Sequence, residues 1–120
     1  MNLNPETLLG TLMQTEGALC AGLIDAASGM VLECAGDGVD LDLAAPGCAE
    51  LLQAALRTMA PHCANDGIED IVISLPQQYH LLRPMPNPQG LFLYGVFDRQ
   101  RTNLALARRS AQTAQQSAAA

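Results

Sequence analysis

The 120-residue chain has no tryptophan and no lysine, and aromatic residues make up only 3% of it. Because large aromatic side chains are scarce, leucine, alanine, valine, isoleucine and methionine have to build the hydrophobic core. All six basic residues are arginines, and twelve acidic residues bring the net charge to −6. A nucleic-acid surface needs clustered positive charge, so this composition argues against nucleic acid as a partner.

Long apolar runs are also missing. No stretch of about 18 apolar residues occurs, so we expect no membrane insertion, and the start of the chain lacks the pattern of a secretory signal. The four cysteines are 14, 14 and 15 residues apart, without the close pairs that zinc sites use. The sequence therefore predicts a cytoplasmic protein with reduced thiols, no metal and no cofactor.

Hydrophobic periodicity predicts three helices and five strands. Asn4 followed by Pro5 is typical of a helix start, because the asparagine side chain caps the helix and proline suits its first position. A Ser-Gly pair between two short apolar runs is typical of a hairpin. The predicted elements are a helix at 5–16, strands at 18–25 and 30–34, a helix at 43–60, strands at 68–75, 79–83 and 91–98, and a last helix from about residue 103.

This order predicts an α+β sandwich, with a five-stranded antiparallel sheet and helices on both faces. Strand 91–98 is apolar on both alternating faces, as expected of a central strand that is covered twice. Pairing it with strand 18–25 is the simplest way to join the hairpin to the last three strands, and leaves strand 68–75 at an edge. We expect one domain over residues 1–114 and a disordered tail at 115–120.

An edge strand at residues 68–75 predicts self-association. Its unpaired backbone groups would be guarded only by two acidic residues at one end, without proline or lysine, and such an edge invites a partner. Pairing with a two-fold copy of itself would close the assembly. The apolar stripe of the preceding helix can serve the protomer core, the dimer, or both. The candidate dimer-interface residues are Leu51, Leu52, Ala55, Leu56, Met59, Ile71, Val72 and Ile73.

The residue patterns of known catalytic sites are not found. His62 and His80 belong to no motif that would link them to a serine or cysteine nucleophile. The acidic loop around Asp40 does not follow the calcium-loop pattern, and residues 35–38 lack the lysine of a phosphate-binding loop. We therefore expect a protein that is not an enzyme and that does not itself bind nucleotide.

Four stretches carry a resemblance to a known family. They are GALCAGLIDAASGMVL at 17–32, IEDI at 68–71, QYHLLRP at 78–84 and FLYGVFDRQRTNLALAR at 92–108. Each is weak alone, but together, and in this order, they resemble the roadblock / dynein light chain family, in the short form of its prokaryotic GTPase-regulating members.

The resemblance implies a profilin-like fold with strand order 2-1-5-4-3. It also implies homodimers in which the third strands pair and the second helices pack together. By function, it implies a non-catalytic scaffold that binds and modulates a small Ras-like GTPase, with Arg83, Arg99 and Arg101 as weak candidates for partner contact. The alternative is a small-molecule-sensing or general protein-interaction module of the same fold, in which Gly22 and Gly95 leave space for a ligand.

Overall fold

The computed structural model describes residues 4–63, 67–86 and 90–118. Its strands form one antiparallel sheet in the order β2-β1-β5-β4-β3, so the predicted α+β class and strand order are confirmed. The elements are α1 (Pro5–Met13), β1 (Ala18–Asp25), β2 (Val31–Gly36), α2 (Leu41–Cys63), β3 (Ile71–Ser74), β4 (Gln78–Pro84), β5 (Leu91–Asp98) and α3 (Leu104–Ala118).

Helix α1 begins as predicted and ends earlier. The Asn4 side chain accepts a hydrogen bond from the Thr7 backbone N–H at 3.2 Å, which caps the first turn. The helix stops at Met13 rather than at residue 16. Gly17 then takes a φ of 87°, a conformation that glycine adopts without strain, and the chain turns into β1.

Helix α2 is longer than predicted at both ends. Its N-terminal cap is Asp40, whose carboxylate accepts a hydrogen bond from the Leu43 N–H at 3.3 Å. Pro46 and Pro61 both lie inside the helix. Pro46 packs closely against Gly29 in the β1–β2 turn, where an added Cβ would lie 2.7 Å from the proline Cα. With Asp40 as its cap, α2 begins at Leu41 rather than at residue 43. Pro46, in its second turn, contacts the β1–β2 turn at Gly29.

Each face of the sheet carries its own hydrophobic layer. Helices α1 and α3 cover one face and α2 covers the other. In the described part of the chain, no helix is long and apolar enough to cross a bilayer. The α1/α3 layer includes Leu8, Leu12, Leu81, Leu93, Phe97, Ala107 and Ala111, and the α2 layer includes Leu41, Ala45, Ala49, Leu52, Leu82, Phe92, Tyr94 and Val96.

Strand β3 is shorter than the predicted 68–75. Before it, Asp70 forms an ion pair with Arg108 of α3, with Oδ2 at 2.8 Å from Nε. The strand itself begins at Ile71. After it, the Leu75 N–H donates to the Gln78 carbonyl at 2.8 Å and closes the turn to β4. The edge strand therefore has four residues.

The end of the chain differs from the predicted disordered tail. Helix α3 continues to Ala118, so the expected boundary at residue 114 falls inside a helix. Gln115 is buried, and its side-chain amide donates to the Pro84 carbonyl at 3.0 Å. Residues 119 and 120 lie outside the described residues.

Candidate interface at the free edge of the sheet

Helix α2 carries apolar side chains that the protomer leaves partly uncovered. Leu51, Leu56 and Met59 are 41%, 37% and 41% exposed, and Ala55 is half-buried. We call these four residues the α2 flank. Leu52, predicted with them, is only 1% exposed and packs in the core between α2 and the sheet. Its prediction as an interface residue is therefore corrected, because Leu52 lies on the side of the helix that meets the sheet.

Strand β3 is one of the two edges of the sheet, β2 being the other, and two of its side chains lie on the face that α2 covers. Within the described residues it pairs with β4 alone, so its outer backbone groups face away from the sheet. Ile71 and Ile73 are half-buried and lie on the α2 face, whereas Val72 lies on the α1/α3 face. The structure thus brings two of the three predicted strand residues to the face that carries the α2 flank.

A hydrogen-bonded chain of polar side chains lies on the face of the sheet that α2 covers. The Tyr94 hydroxyl is 2.6 Å from His80 Nδ1, and His80 Nε2 is 2.9 Å from the Gln78 side-chain oxygen. Because that amide oxygen can only accept, Nε2 carries the imidazole proton and Nδ1 accepts from the Tyr94 O–H. The Cys48 thiol of α2 lies close enough to the Tyr94 hydroxyl to influence its pKa. No sequence motif indicates a role for His80, because Tyr94 lies on another strand and meets it only through the strand register.

Burial keeps these groups uncharged. It raises the pKa of the Tyr94 hydroxyl strongly and also raises the pKa of the Cys48 thiol. Burial also lowers the pKa of His80 below its usual 6.5. A thiol with a raised pKa is a poor nucleophile near neutral pH, so this arrangement positions side chains rather than activating one.

Arg83 is not available to a partner. Its side chain is 9% exposed and lies 3.5 Å from the Asp70 carboxylate, while Nε donates to the Gln115 side-chain oxygen at 2.7 Å. Asp70, 7% exposed, also binds Arg108. The prediction of Arg83 as a contact residue is therefore corrected: a buried arginine needs internal partners, and these come from segments far from it in sequence.

The other two predicted arginines lie at the end of β5. Arg99 is exposed, donates to the Leu75 carbonyl at 3.1 Å, and its guanidinium lies 5.1 Å from the centre of the Tyr79 ring. Arg101 is exposed as well. In the described segments neither forms an ion pair. Both charges are therefore accessible to an acidic partner.

The glycine positions do not open a ligand cavity. A Cβ at Gly95 would lie 3.0 Å from the Phe97 ring and 3.1 Å from Leu12, and a Cβ at Gly22 would touch Leu41 at 3.4 Å. The expected space at these glycines is therefore filled by neighbouring side chains. Elsewhere, an open cleft of about 430 Å³ separates the β1–β2 turn from α2. Among the described residues, no three histidine, cysteine or acidic side chains come together as a metal site.

Comparison with known proteins gives a structural match only. No protein-family model and no curated protein matches the sequence. A Roadblock/LC7 domain from Streptomyces avermitilis superposes with a TM-score of 0.78 at 17% identity, covering 98% of this chain and 94% of that one. An MglB structure with a tetrameric arrangement superposes with a TM-score of 0.77 at 21% identity, covering 93% and 82%.

The likeness extends to profilin. Schizosaccharomyces pombe profilin superposes with a TM-score of 0.64 at 11% identity, covering 95% of each chain. The predicted profilin-like architecture is therefore confirmed together with the strand order. The resemblance in the sequence is confirmed by the structure, and the chain has the fold of Roadblock/LC7 domain proteins and MglB.

Proposed function

We propose that this chain is a non-catalytic homodimeric scaffold that binds and modulates a small Ras-like GTPase. One observation carries the proposal: the β3 edge places Ile71 and Ile73 on the sheet face that α2 covers, and the α2 flank is partly exposed. The GTPase part of the proposal comes from the family resemblance, and the shared fold with MglB supports it.

The edge supports pairing between two copies of the chain. A sheet edge with unpaired backbone groups is stabilised when another strand adds to it. Between identical chains, a two-fold axis lets β3 pair with its own copy, and the assembly then stops growing. The MglB structure in a tetrameric arrangement shows that a protein of this fold associates with itself.

The α2 flank supports the same geometry. Leu51, Leu56 and Met59 would transfer their remaining exposed apolar surface from water into the interface, which is favourable at about 25 cal/mol per Å². Ile71 and Ile73 lie on the same face and are half-buried in the protomer. One interface would therefore satisfy both the backbone edge and the apolar surface.

The α2 flank can be tested by charge insertion. Leu51→Glu should give a monomer, because the dimer would have to bury a carboxylate. Leu43→Glu is the matched control, since Leu43 is 79% exposed on the same helix but outside the flank. Analytical ultracentrifugation should show a dimer for the wild type and for Leu43→Glu. A stable dimer of Leu51→Glu would place the interface elsewhere.

The strand edge is tested separately by Ile73→Glu. This change inserts a charge in β3 on the face that carries the α2 flank, and should yield monomer or insoluble protein. Val72→Glu is no control, because Val72 packs against the α1/α3 core. Light scattering of soluble Ile73→Glu that still reports a dimer would contradict pairing through β3.

The GTPase part requires a binding experiment. We expect the dimer to bind a small Ras-like GTPase from the same cell, tested in its GDP-bound state and bound to a non-hydrolysable GTP analogue. Arg99→Ala and Arg101→Ala should weaken binding if the end of β5 contributes, while Arg57→Ala on α2 serves as a charge-matched control. Absence of binding in both nucleotide states would overturn this part and leave the dimer untouched.

A further inference from the structure

We propose that His80 makes self-association of this chain sensitive to pH, so that the dimer is favoured when His80 is neutral and the monomer when it is protonated. The inference rests on the homodimer of the proposed function and assigns a regulatory residue to its interface. It follows from the position of His80 one strand from the β3 edge, and from the lack, among the residues that the structure describes, of any charged group beside it.

His80 lies where a second copy would cover it. In β4 it is paired with Ile73 of the edge strand, and its ring lies on the α2 face together with Tyr94. The ring is half-buried in the isolated protomer. A copy docked along β3 and the α2 flank would remove more of the ring from water, and the interface would then cover both copies of His80.

Neutral groups face His80 from every element around it. Gln78 of β4 accepts from Nε2, Tyr94 of β5 donates to Nδ1, and Ile73 of β3 lies opposite. Cys48 of α2 lies close to the Tyr94 hydroxyl and is neutral because burial raises its pKa. Burial alone accounts for the lowered pKa of His80. A proton on this ring therefore adds a positive charge that no carboxylate in the described segments offsets.

Protonation would also reverse the hydrogen bonds. With a proton on both ring nitrogens, Nδ1 becomes a donor to the Tyr94 oxygen. The Tyr94 hydroxyl then has to donate to the Cys48 sulfur, which is a weaker acceptor than the imidazole nitrogen. The charged state thus loses hydrogen-bond quality as well as hydration, and both losses grow when a partner covers the site.

The sign of the effect follows from proton linkage. Burial already lowers the pKa of His80 in the protomer, and further burial in the dimer lowers that pKa again. Below the usual histidine range the monomer then binds more protons than the dimer, so association releases protons. The dimer is therefore most stable above that range and weakens as the pH falls through the pKa of His80 in the monomer.

The test measures the dimer dissociation constant by sedimentation at about pH 7.5 and about pH 5, the lower value being chosen because burial lowers the pKa of His80. The proteins are the wild type, His80→Gln and His62→Gln. His62 is exposed near the C-terminal end of α2, so its variant controls for the other histidine. Because two copies of His80 are buried per dimer, we expect Kd of the wild type and of His62→Gln to rise on the order of tenfold at the lower pH.

Three results would overturn the inference. A wild-type dimer whose Kd does not change with pH refutes it and leaves the proposed dimer standing. A pH dependence that survives in His80→Gln but disappears in His62→Gln moves the effect to the other histidine. A wild type that is monomeric at both pH values refutes the proposed dimer and this inference with it.

A second measurement covers the case in which His80→Gln does not fold. Nuclear magnetic resonance titration of the wild type, at protein concentrations above and below Kd, should give His80 a lower pKa in the dimer than in the monomer. Equal values in both states would overturn the inference without any variant.

Discussion

At the scale of single residues, the Asp70 side chain links the start of β3 to β4 and to α3 through two ion pairs. Its carboxylate is 7% exposed and lies between the guanidinium groups of Arg83 and Arg108. Arg83 belongs to β4 and Arg108 to α3, so one side chain connects the entry of β3 to the central sheet and to a helix on the far face. A buried charge of this kind is costly to leave without a partner.

Asp70→Asn should therefore lower the free energy of unfolding by about 3 kcal/mol, as the loss of a buried ion-pair partner does. Glu69→Gln is the matched control. The Glu69 side chain is 68% exposed and 3.9 Å from Arg83, so its loss should cost less than about 0.5 kcal/mol. Urea denaturation of both variants measures the difference. Equal stability of the two would mean that Asp70 contributes no more than a surface charge.

At the scale of elements, the turn between α1 and β1 requires a glycine. Gly17 has a φ of 87°, and a Cβ there would clash with the Thr102 hydroxyl oxygen. That hydroxyl donates to the Glu16 carbonyl at 2.9 Å. The turn therefore packs directly against the segment before α3, and this contact leaves no room for a side chain at position 17.

Gly17→Ala should cost more than about 2 kcal/mol, since it combines backbone strain with a steric clash. Gly10→Ala is the opposite case: Gly10 is an exposed residue within α1, and an added Cβ meets nothing within 4 Å. This change should stabilise the protein by about 0.5–1 kcal/mol through helix propensity. Thermal denaturation of the two variants should give a lower Tm for Gly17→Ala and a higher Tm for Gly10→Ala than for the wild type. An unchanged Tm for Gly17→Ala would contradict the close packing of the turn.

The elements also show what sequence patterns can predict. Alternation and apolar runs place β1, β4 and β5 to within about one residue of the structure. The ends of α2 were missed because the capping role of Asp40 and the tolerance of Pro61 depend on local geometry. Leu51 and Leu52 are neighbours in one apolar stripe, and only the position of α2 on the sheet decides which of them is buried.

Polar partners were the harder part of the candidate site. Arg83 reads as a surface residue at a strand end, because the partner that buries it, Gln115, is 32 residues away. His80 and Tyr94 meet through neighbouring strands. Side-chain pairs of this kind depend on strand register, and periodicity predicts that an element exists more reliably than it predicts the register.

At the scale of the whole molecule, the proposed dimer makes stability depend on concentration. When the folded state associates and the unfolded state does not, mass action raises Tm with protein concentration. We expect the wild type to show a higher Tm when its concentration is raised tenfold, measured by calorimetry. Leu51→Glu should show a Tm that does not move. A wild-type Tm that is the same at both concentrations would contradict a dimer in that range.

The central pair of strands has a consequence for synthesis on the ribosome. Strand β1 pairs with β5 along its length, although residues 18–25 are made long before residues 91–98. Contacts between such distant segments are slow to form. Until β5 has left the exit tunnel, the nascent β1–β2 hairpin lacks its inner neighbour, and the apolar side chains of β1 stay in contact with water.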